Sequence, residues 1–159
     1  MMKKNKCTLF TIVNNEKVFK EFQKNLEEQK DIEFELIPIW NCNCEYSSAR
    51  NAYNENLGQA NGKYVIFIHP DIRFLTEFDL KNIIKQVDEI GDFGVVGVAG
   101  STNELINGKR ILYTNIVHGS KQFSAGTRIF MKKEVQTVDE CLFIMKREDL
   151  ERVKFTEKD

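Results

Sequence analysis

Apolar and polar positions recur along this chain with two periods, and the period switches repeatedly through the first hundred residues. Residues 7–13, CTLFTIV, form a mostly apolar run of strand length, and Asn14 and Asn15 follow as helix caps. In 16–29, Val18, Phe19, Phe22 and Leu26 fall on one helical face. Residues 32–39 alternate Ile32, Phe34 and Leu36 against Glu33 and Glu35, the period of a strand, with Pro38 near its end. A polar loop, NCNCEYSS, leads through Ser47 or Ser48 into a helix that buries Ala49, Ala52, Tyr53, Leu57 and Ala60 and ends at Asn61-Gly62. KYVIFIH, 63–69, is the next buried strand. Thr76 with Asp79 resembles a capping box, and Leu80, Ile83, Ile84, Val87 and Ile90 make a helical stripe. FGVVGVAG, 93–100, reads as a fourth strand broken by glycines.

This order is βαβαβαβ. It predicts a three-layer α/β/α domain with a mostly parallel central sheet formed side by side by 7–13, 32–39, 64–69 and 93–99. The last third changes style. Asn107-Gly108 predicts a hairpin within 106–119, residues 128–147 one or two strands, and 148–153 a short helix.

Composition narrows the partners. The 159 residues carry 23 Lys and Arg against 24 Asp and Glu, a net charge of −1, so the overall balance calls for no nucleic acid and no anionic membrane. No apolar run approaches the roughly 18 residues of a membrane span. The start, MMKKNKCTLFTIVNN, imitates a signal peptide, but its apolar run is short, lacks a small-residue cleavage site and reads as the first strand. Without an export signal a cytoplasmic, thiol-reduced chain is expected, with Cys7 and Cys141 as core residues. Cys42 and Cys44 have no second Cys or His pair nearby and predict surface thiols rather than a zinc site.

Chemistry concentrates where strands end. In an open α/β sheet, ligands bind beyond the carboxyl ends of the strands. Val13-Asn14-Asn15, the 40–48 loop and His69-Pro70-Asp71 converge there on this topology. Asp71 at a strand end suits a divalent cation that bridges two phosphates and stabilises them as a leaving group. A phospho-acceptor regulatory domain would need an acidic cluster after the first strand, where this chain has Asn14-Asn15.

The run AYNENLGQANGKYVIFIHPDI, 52–72, resembles the nucleotide-sugar-dependent glycosyltransferases of the GT-A fold, family 2 type. In that family a helix with Ala-Arg-Asn and Gly precedes Ala-x-Gly-x-Tyr and a strand ending in Asp-x-Asp. Here Asn54 takes the asparagine position, Gly62 the glycine, Tyr64 the strand start, and His69 and Asp71 the two aspartates. Tyr53 replaces the arginine and Asn56 the helix glycine. With VVGVAG, IVHG and VQTVDECLFIMKRE, the chain is similar to a glycosyltransferase-like branch that includes streptomycin-biosynthesis StrF-type proteins.

The resemblance implies a single GT-A-like domain over 1–159, with a nucleotide-binding half at 1–100 and an incomplete acceptor half at 101–159. It implies a nucleotide diphosphate sugar as donor and transfer to an acceptor hydroxyl, with a catalytically idle nucleotide-binding or interaction module as the alternative. Asn14, Asn15, Asn54, His69, Asp71 and His118 are the implied donor contacts, and Asp71 with His69 the implied ligands of a divalent metal, Mn or Mg. Imidazole favours Mn²⁺ over Mg²⁺. Asp139 is the internal candidate for the general base. Family members continue past the position of Phe155-Thr156 into an acidic segment, so the chain is expected to be truncated at its C-terminus. Each residue keeps a structural alternative: Asn14 and Asn15 as caps, His69 and Asp71 as strand-end and turn residues, His118 in a hairpin, and Asp139 in a solvated turn.

Overall fold

The computed structural model describes residues 6–124 and 126–156. In chain order the elements are β1 (Cys7–Val13), α1 (Glu16–Glu27), β2 (Phe34–Trp40), α2 (Ala49–Asn56) with a 3-10 turn at Leu57–Gln59, β3 (Tyr64–Ile68), α3 (Asp79–Ile90), β4 (Val96–Gly97), β5 (Ala99–Ile106), β6 (Lys109–Thr114), β7 (Val117–His118), β8 (Phe123–Ser124), β9 (Thr127–Arg128), β10 (Thr137–Val138), β11 (Leu142–Lys146) and α4 (Arg147–Leu150). Among the described residues no helix is long and apolar enough to cross a membrane.

The main sheet has the order β2-β1-β3-β11-β4. β1 pairs in parallel with β2 and with β3, whereas β11 runs antiparallel to both β3 and β4. The sheet is therefore mixed, and parallel pairing is confined to the β2-β1-β3 trio. All of β3 is buried, as its unbroken apolar run requires of a central strand. β2 is an edge strand, which is why it tolerates Pro38 opposite Thr11. Phe19, Phe22 and Leu26 of α1 pack with Leu80, Ile84 and Val87 of α3 around Leu9, Ile66 and Ile144 on one face. Ala52 and Tyr53 of α2 and Leu150 of α4 pack around Phe10, Phe67 and Phe143 on the other.

The expected strand over 93–99 is split. β4 takes only Val96–Gly97 at the sheet edge, β11 stands between it and β3, and β5 begins a second sheet of order β10-β5-β6-β9. Two glycines permit the crossing. A Cβ on Gly97 would lie 2.1 Å from Val138 Cγ1, and one on Gly100 2.5 Å from the Thr137 carbonyl. The β5–β6 hairpin turns at Asn107 (φ 53°) and Gly108 (φ 73°), two successive left-handed residues, as the Asn-Gly pair predicts.

Gly62 acts differently from the helix stop expected of it. Its φ is not positive; a Cβ there would lie 2.4 Å from the Cys7 carbonyl carbon and 2.5 Å from the Thr8 nitrogen, so the glycine lets the lead-in to β3 press against β1. Beside it the Thr8 hydroxyl donates to Glu35 and accepts from the Gly62 N–H at 2.8 Å, while Glu35 also accepts from the Asn61 N–H at 2.7 Å. At the same amino edge Asp88 gathers Lys6 Nζ at 2.6 Å, Lys63 Nζ at 3.0 Å and the Tyr64 hydroxyl at 2.7 Å. The hydrogen bond from Lys6 is the chief reason its carboxyl sits well below the usual carboxylate range; Tyr64 and Lys63 add to it against partial burial.

Two predictions follow from this edge. Gly62→Ala forces backbone apart and should cost about 1–3 kcal/mol, a drop of several degrees in Tm by thermal unfolding; an unchanged Tm would contradict the close approach. Asp88→Asn should cost about 1 kcal/mol at pH 7, the scale of a partly exposed ion pair. Because the folded carboxyl is depressed, its stabilisation is complete above the unfolded pKa near 4 and is lost as pH falls through the lower folded value. The Tm gap between the two proteins should accordingly shrink from pH 5 to pH 2.

Candidate functional site

Because β1, β2 and β3 are parallel, Val13, Trp40 and Ile68 all end at one edge of the sheet. The loops that follow are tied together there. The Asn41 N–H donates to the Val13 carbonyl at 2.8 Å, and the Cys42 thiol reaches the same oxygen at 3.4 Å. Antiparallel β11 starts at this edge, Leu142 opposite Ile68, so Asp139-Glu140-Cys141 enters where the parallel strands leave. The His69 N–H donates to the Cys141 carbonyl at 2.9 Å and joins the two segments.

β3 does not run on extended through Asp71, as period-two alternation would require for His69 and Asp71 to share a side. It closes at once into a turn, the Ile72 N–H bonding the His69 carbonyl at 3.2 Å. Pro70 occupies the second position, where its fixed φ favours a turn. His69 and Asp71 are both exposed on it. Arg73 fixes the turn from behind. Its Nη1 donates to the carbonyls of Pro70 at 2.8 Å and Ile72 at 2.7 Å, and its Nη2 reaches the Val18 carbonyl at 3.4 Å and Glu21 Oε2 at 3.3 Å on α1. Asn25, one turn along that helix, and Gln29, just beyond its C-terminal cap, continue the splint. Asn25 exchanges two hydrogen bonds with the Phe74 main chain, and Gln29 donates to the Thr76 carbonyl and accepts from the Leu80 N–H.

The capping box expected of Thr76 and Asp79 forms only in part, because the N-cap of α3 is Phe78, which makes no side-chain cap bond. The Asp79 carboxylate accepts from the Thr76 N–H at 2.9 Å and hydroxyl at 2.6 Å.

Cys141 is half-buried at the site rather than in the core. Its N–H donates to Asp139 Oδ1 at 2.9 Å. The neighbouring Cys141 thiol, then this N–H and last the nearby charge of His69, hold Asp139 below the usual carboxylate range against partial burial. Burial, and after it Asp139, pushes the Cys141 thiol up to about 12, which leaves it a hydrogen-bond donor and not a nucleophile. Cys7, by contrast, is fully buried as expected, and burial raises its thiol to about 12.

The remaining sequence-derived residues divide. Asn14 is exposed at the edge directly after β1. Asn15 is a helix cap, its Oδ1 accepting from the N–H groups of Lys17 at 3.0 Å and Val18 at 3.2 Å. Asn54 has both amide atoms on the Phe155 main chain, Nδ2 donating to the carbonyl at 2.8 Å and Oδ1 accepting from the N–H at 2.9 Å. Phe155 is held against Tyr53, Phe67 and Phe143, so this asparagine clamps the C-terminal segment. His118 is exposed in the separate β7–β8 ribbon, opposite Phe123. Cys42 and Cys44 are exposed free thiols. Among the described residues no three His, Cys, Asp or Glu side chains group as a metal site.

The sequence profile of a glycosyltransferase-like family matches residues 8–157, nearly the whole chain. The chain belongs to that family. No curated protein sequence matches it. Among solved structures it is similar to the mannosyltransferase PcManGT from Pyrobaculum calidifontis in complex with GDP-Man and Mn2+, at 16% identity and a TM-score of 0.55. The match covers 95% of this chain and 47% of that one, so the chain spans about half the length of the mannosyltransferase. It also resembles A197 from STIV at 16% identity over 94% of this chain and 69% of that one, with a TM-score of 0.47. The mixed α/β architecture of this glycosyltransferase-like chain is consistent with the GT-A fold.

Arg73, Asn25 and Gln29 are the positioning residues that sequence reading missed. Their only sequence signal is a polar row at positions 21, 25 and 29 beside the apolar stripe of α1, which looks like any solvated face. Arg73→Lys keeps the charge but cannot span four acceptors in a planar fork. Hydrogen exchange at amides 71–76 should quicken by about tenfold in this variant, the equivalent of roughly 1.4 kcal/mol, while β3 amides keep their protection. Uniform loss of protection, or none, would contradict a local splint.

Proposed function

We propose that this domain binds a nucleotide diphosphate sugar at the carboxyl edge of its main sheet and takes part in transfer of the sugar to an acceptor hydroxyl. The observation that carries the reading is the convergence of the loops after β1, β2 and β3 with the Asp139–Cys141 segment at that edge. Family membership over residues 8–157 supports it, as does a shared fold with a mannosyltransferase that holds GDP-Man and Mn2+.

The roles follow from geometry and charge. His69 and Asp71 sit exposed on a turn at this edge and meet the diphosphate; Asn14 flanks the same edge after β1. Two protein ligands suit a divalent cation that takes its other ligands from phosphate and water, rather than one caged wholly by protein. Such a cation, when bound, supplies positive charge to the leaving diphosphate. Imidazole at His69 favours Mn²⁺ over Mg²⁺ for that place.

Asp139 is ionised at neutral pH and accepts from the Cys141 N–H. A carboxylate of lowered proton affinity is a weak general base, so its role is to fix, through the Cys141 N–H, the segment whose carbonyl accepts from the His69 N–H. Asn54 acts as the clamp of the C-terminal segment, and Asn15 as the helix cap that sets the start of α1. The engagement of Asp139 favours one second reading, a module that binds the donor without transferring the sugar.

Titration with UDP, GDP and the corresponding nucleosides, with Mn²⁺, Mg²⁺ or chelator, tests the site. Asp71→Asn should weaken diphosphate binding in Mn²⁺ by about 1–3 kcal/mol and nucleoside binding little. His69→Ala should weaken Mn²⁺-supported binding more than Mg²⁺-supported binding. Equal affinities in all three proteins would reduce the motif to a strand terminator, and binding without transfer to any acceptor would favour the second reading.

A further inference from the structure

The near-neutral total charge conceals a segregation. Between residues 101 and 134 six cations, Lys109, Arg110, Lys121, Arg128, Lys132 and Lys133, face two carboxylates, Glu104 and Glu134. None of the six forms an ion pair among the described residues, whereas Lys6, Lys20, Lys30, Lys63, Arg73, Lys81 and Lys85 do so among the ten described Lys and Arg of the first hundred residues. Arg128 instead lies 5.7 Å from the Phe130 ring centre and Lys133 5.1 Å from that of Tyr113.

The same segments carry the largest unburied apolar side chains. Phe130 is 88% and Met131 82% exposed. Both lie at a bend just beyond β9, and their joint exposure leaves the two side chains clear of the protein surface. Leu105 and Ile106 at the β5–β6 hairpin are 61% and 60% exposed beside Lys109 and Arg110, and Phe123 is 67% exposed beside Lys121. Three separate segments thus repeat one composition: bare apolar side chains next to unneutralised cations.

We propose that this lobe docks on an anionic phospholipid surface, the Phe130-Met131 loop entering the headgroup and upper acyl layer while Arg128, Lys132 and Lys133 contact phosphates. Charge complementarity selects an anionic partner. The aliphatic members Leu105, Ile106 and Met131 select lipid over single-stranded nucleic acid, because bases stack on aromatic faces and gain little from aliphatic chains. The binding does not depend on the donor-site reading, so either can fail without the other.

Sedimentation with large unilamellar vesicles tests the proposal, using phosphatidylcholine alone or with 30% phosphatidylserine, at 0.1 M and 0.5 M NaCl. The protein should pellet with phosphatidylserine vesicles at 0.1 M salt and be released by 0.5 M salt, as screening requires. Lys132→Gln with Lys133→Gln should weaken binding roughly thirtyfold, and Phe130→Ser with Met131→Ser by about tenfold or more. These side chains are exposed, so unchanged circular dichroism confirms that the variants fold. No pelleting, equal pelleting with phosphatidylcholine alone, or binding unaffected by either double substitution would overturn the proposal. So would tighter binding to oligouridylate than to vesicles, or a dimer that Phe130→Ser with Met131→Ser dissociates in place of any lipid binding.

Discussion

The antiparallel pairing of β11 with β3 is the constraint on which the rest of the structure depends. Five residue pairs, Leu142 opposite Ile68 through Lys146 opposite Tyr64, set a reversed strand against the buried centre of a parallel trio. A reversed strand begins where its neighbours end. That alone delivers Asp139, Glu140 and Cys141 to the edge that carries His69 and Asp71. It also displaces β4 to the margin of the sheet and sends the chain through Val98 into the second sheet, where the Asp139 N–H returns to the Ala99 carbonyl at 2.9 Å.

What was legible in the sequence is what local physics decides. The stripes of α1 and α3, the buried run of β3, the Asn15 and Ser48 caps and the Asn107-Gly108 turn all follow from residues within one or two turns of each other. The place of β11 was not legible, because its partner lies about 75 residues earlier and an apolar five-residue run fits any central position. The split at Gly97 and Gly100 depends on how closely Val138 and Thr137 approach, which only the folded chain reveals. Gly62 shows the same limit: its position was recognised, yet its reason is the backbone of Cys7 and Thr8, far away in sequence.

The candidate site divides likewise. That the loops after β1, β2 and β3 would meet at one edge was readable from the alternation of elements, and His69 and Asp71 are exposed there. Their supports were not readable. Asn54 keeps the motif's residue type but spends its amide on Phe155, and Arg73 carries the turn without belonging to the motif. Asp139 was visible as a carboxylate, but its contacts with Cys141, which set its proton affinity, depend on the turn before β11. The edge is best seen as an exposed pair held by a rigid backing from α1 on one side and β11 on the other.

Mn²⁺-induced paramagnetic broadening of amide resonances, recorded with and without UDP or GDP, tests the central claim most directly. Broadening that appears only with nucleotide and centres on residues 14, 69–72 and 139–141, sparing 61–64 and 88 at the opposite edge, is the predicted result. Broadening centred on the amino edge or on the 105–133 lobe, or identical with and without nucleotide, would contradict it.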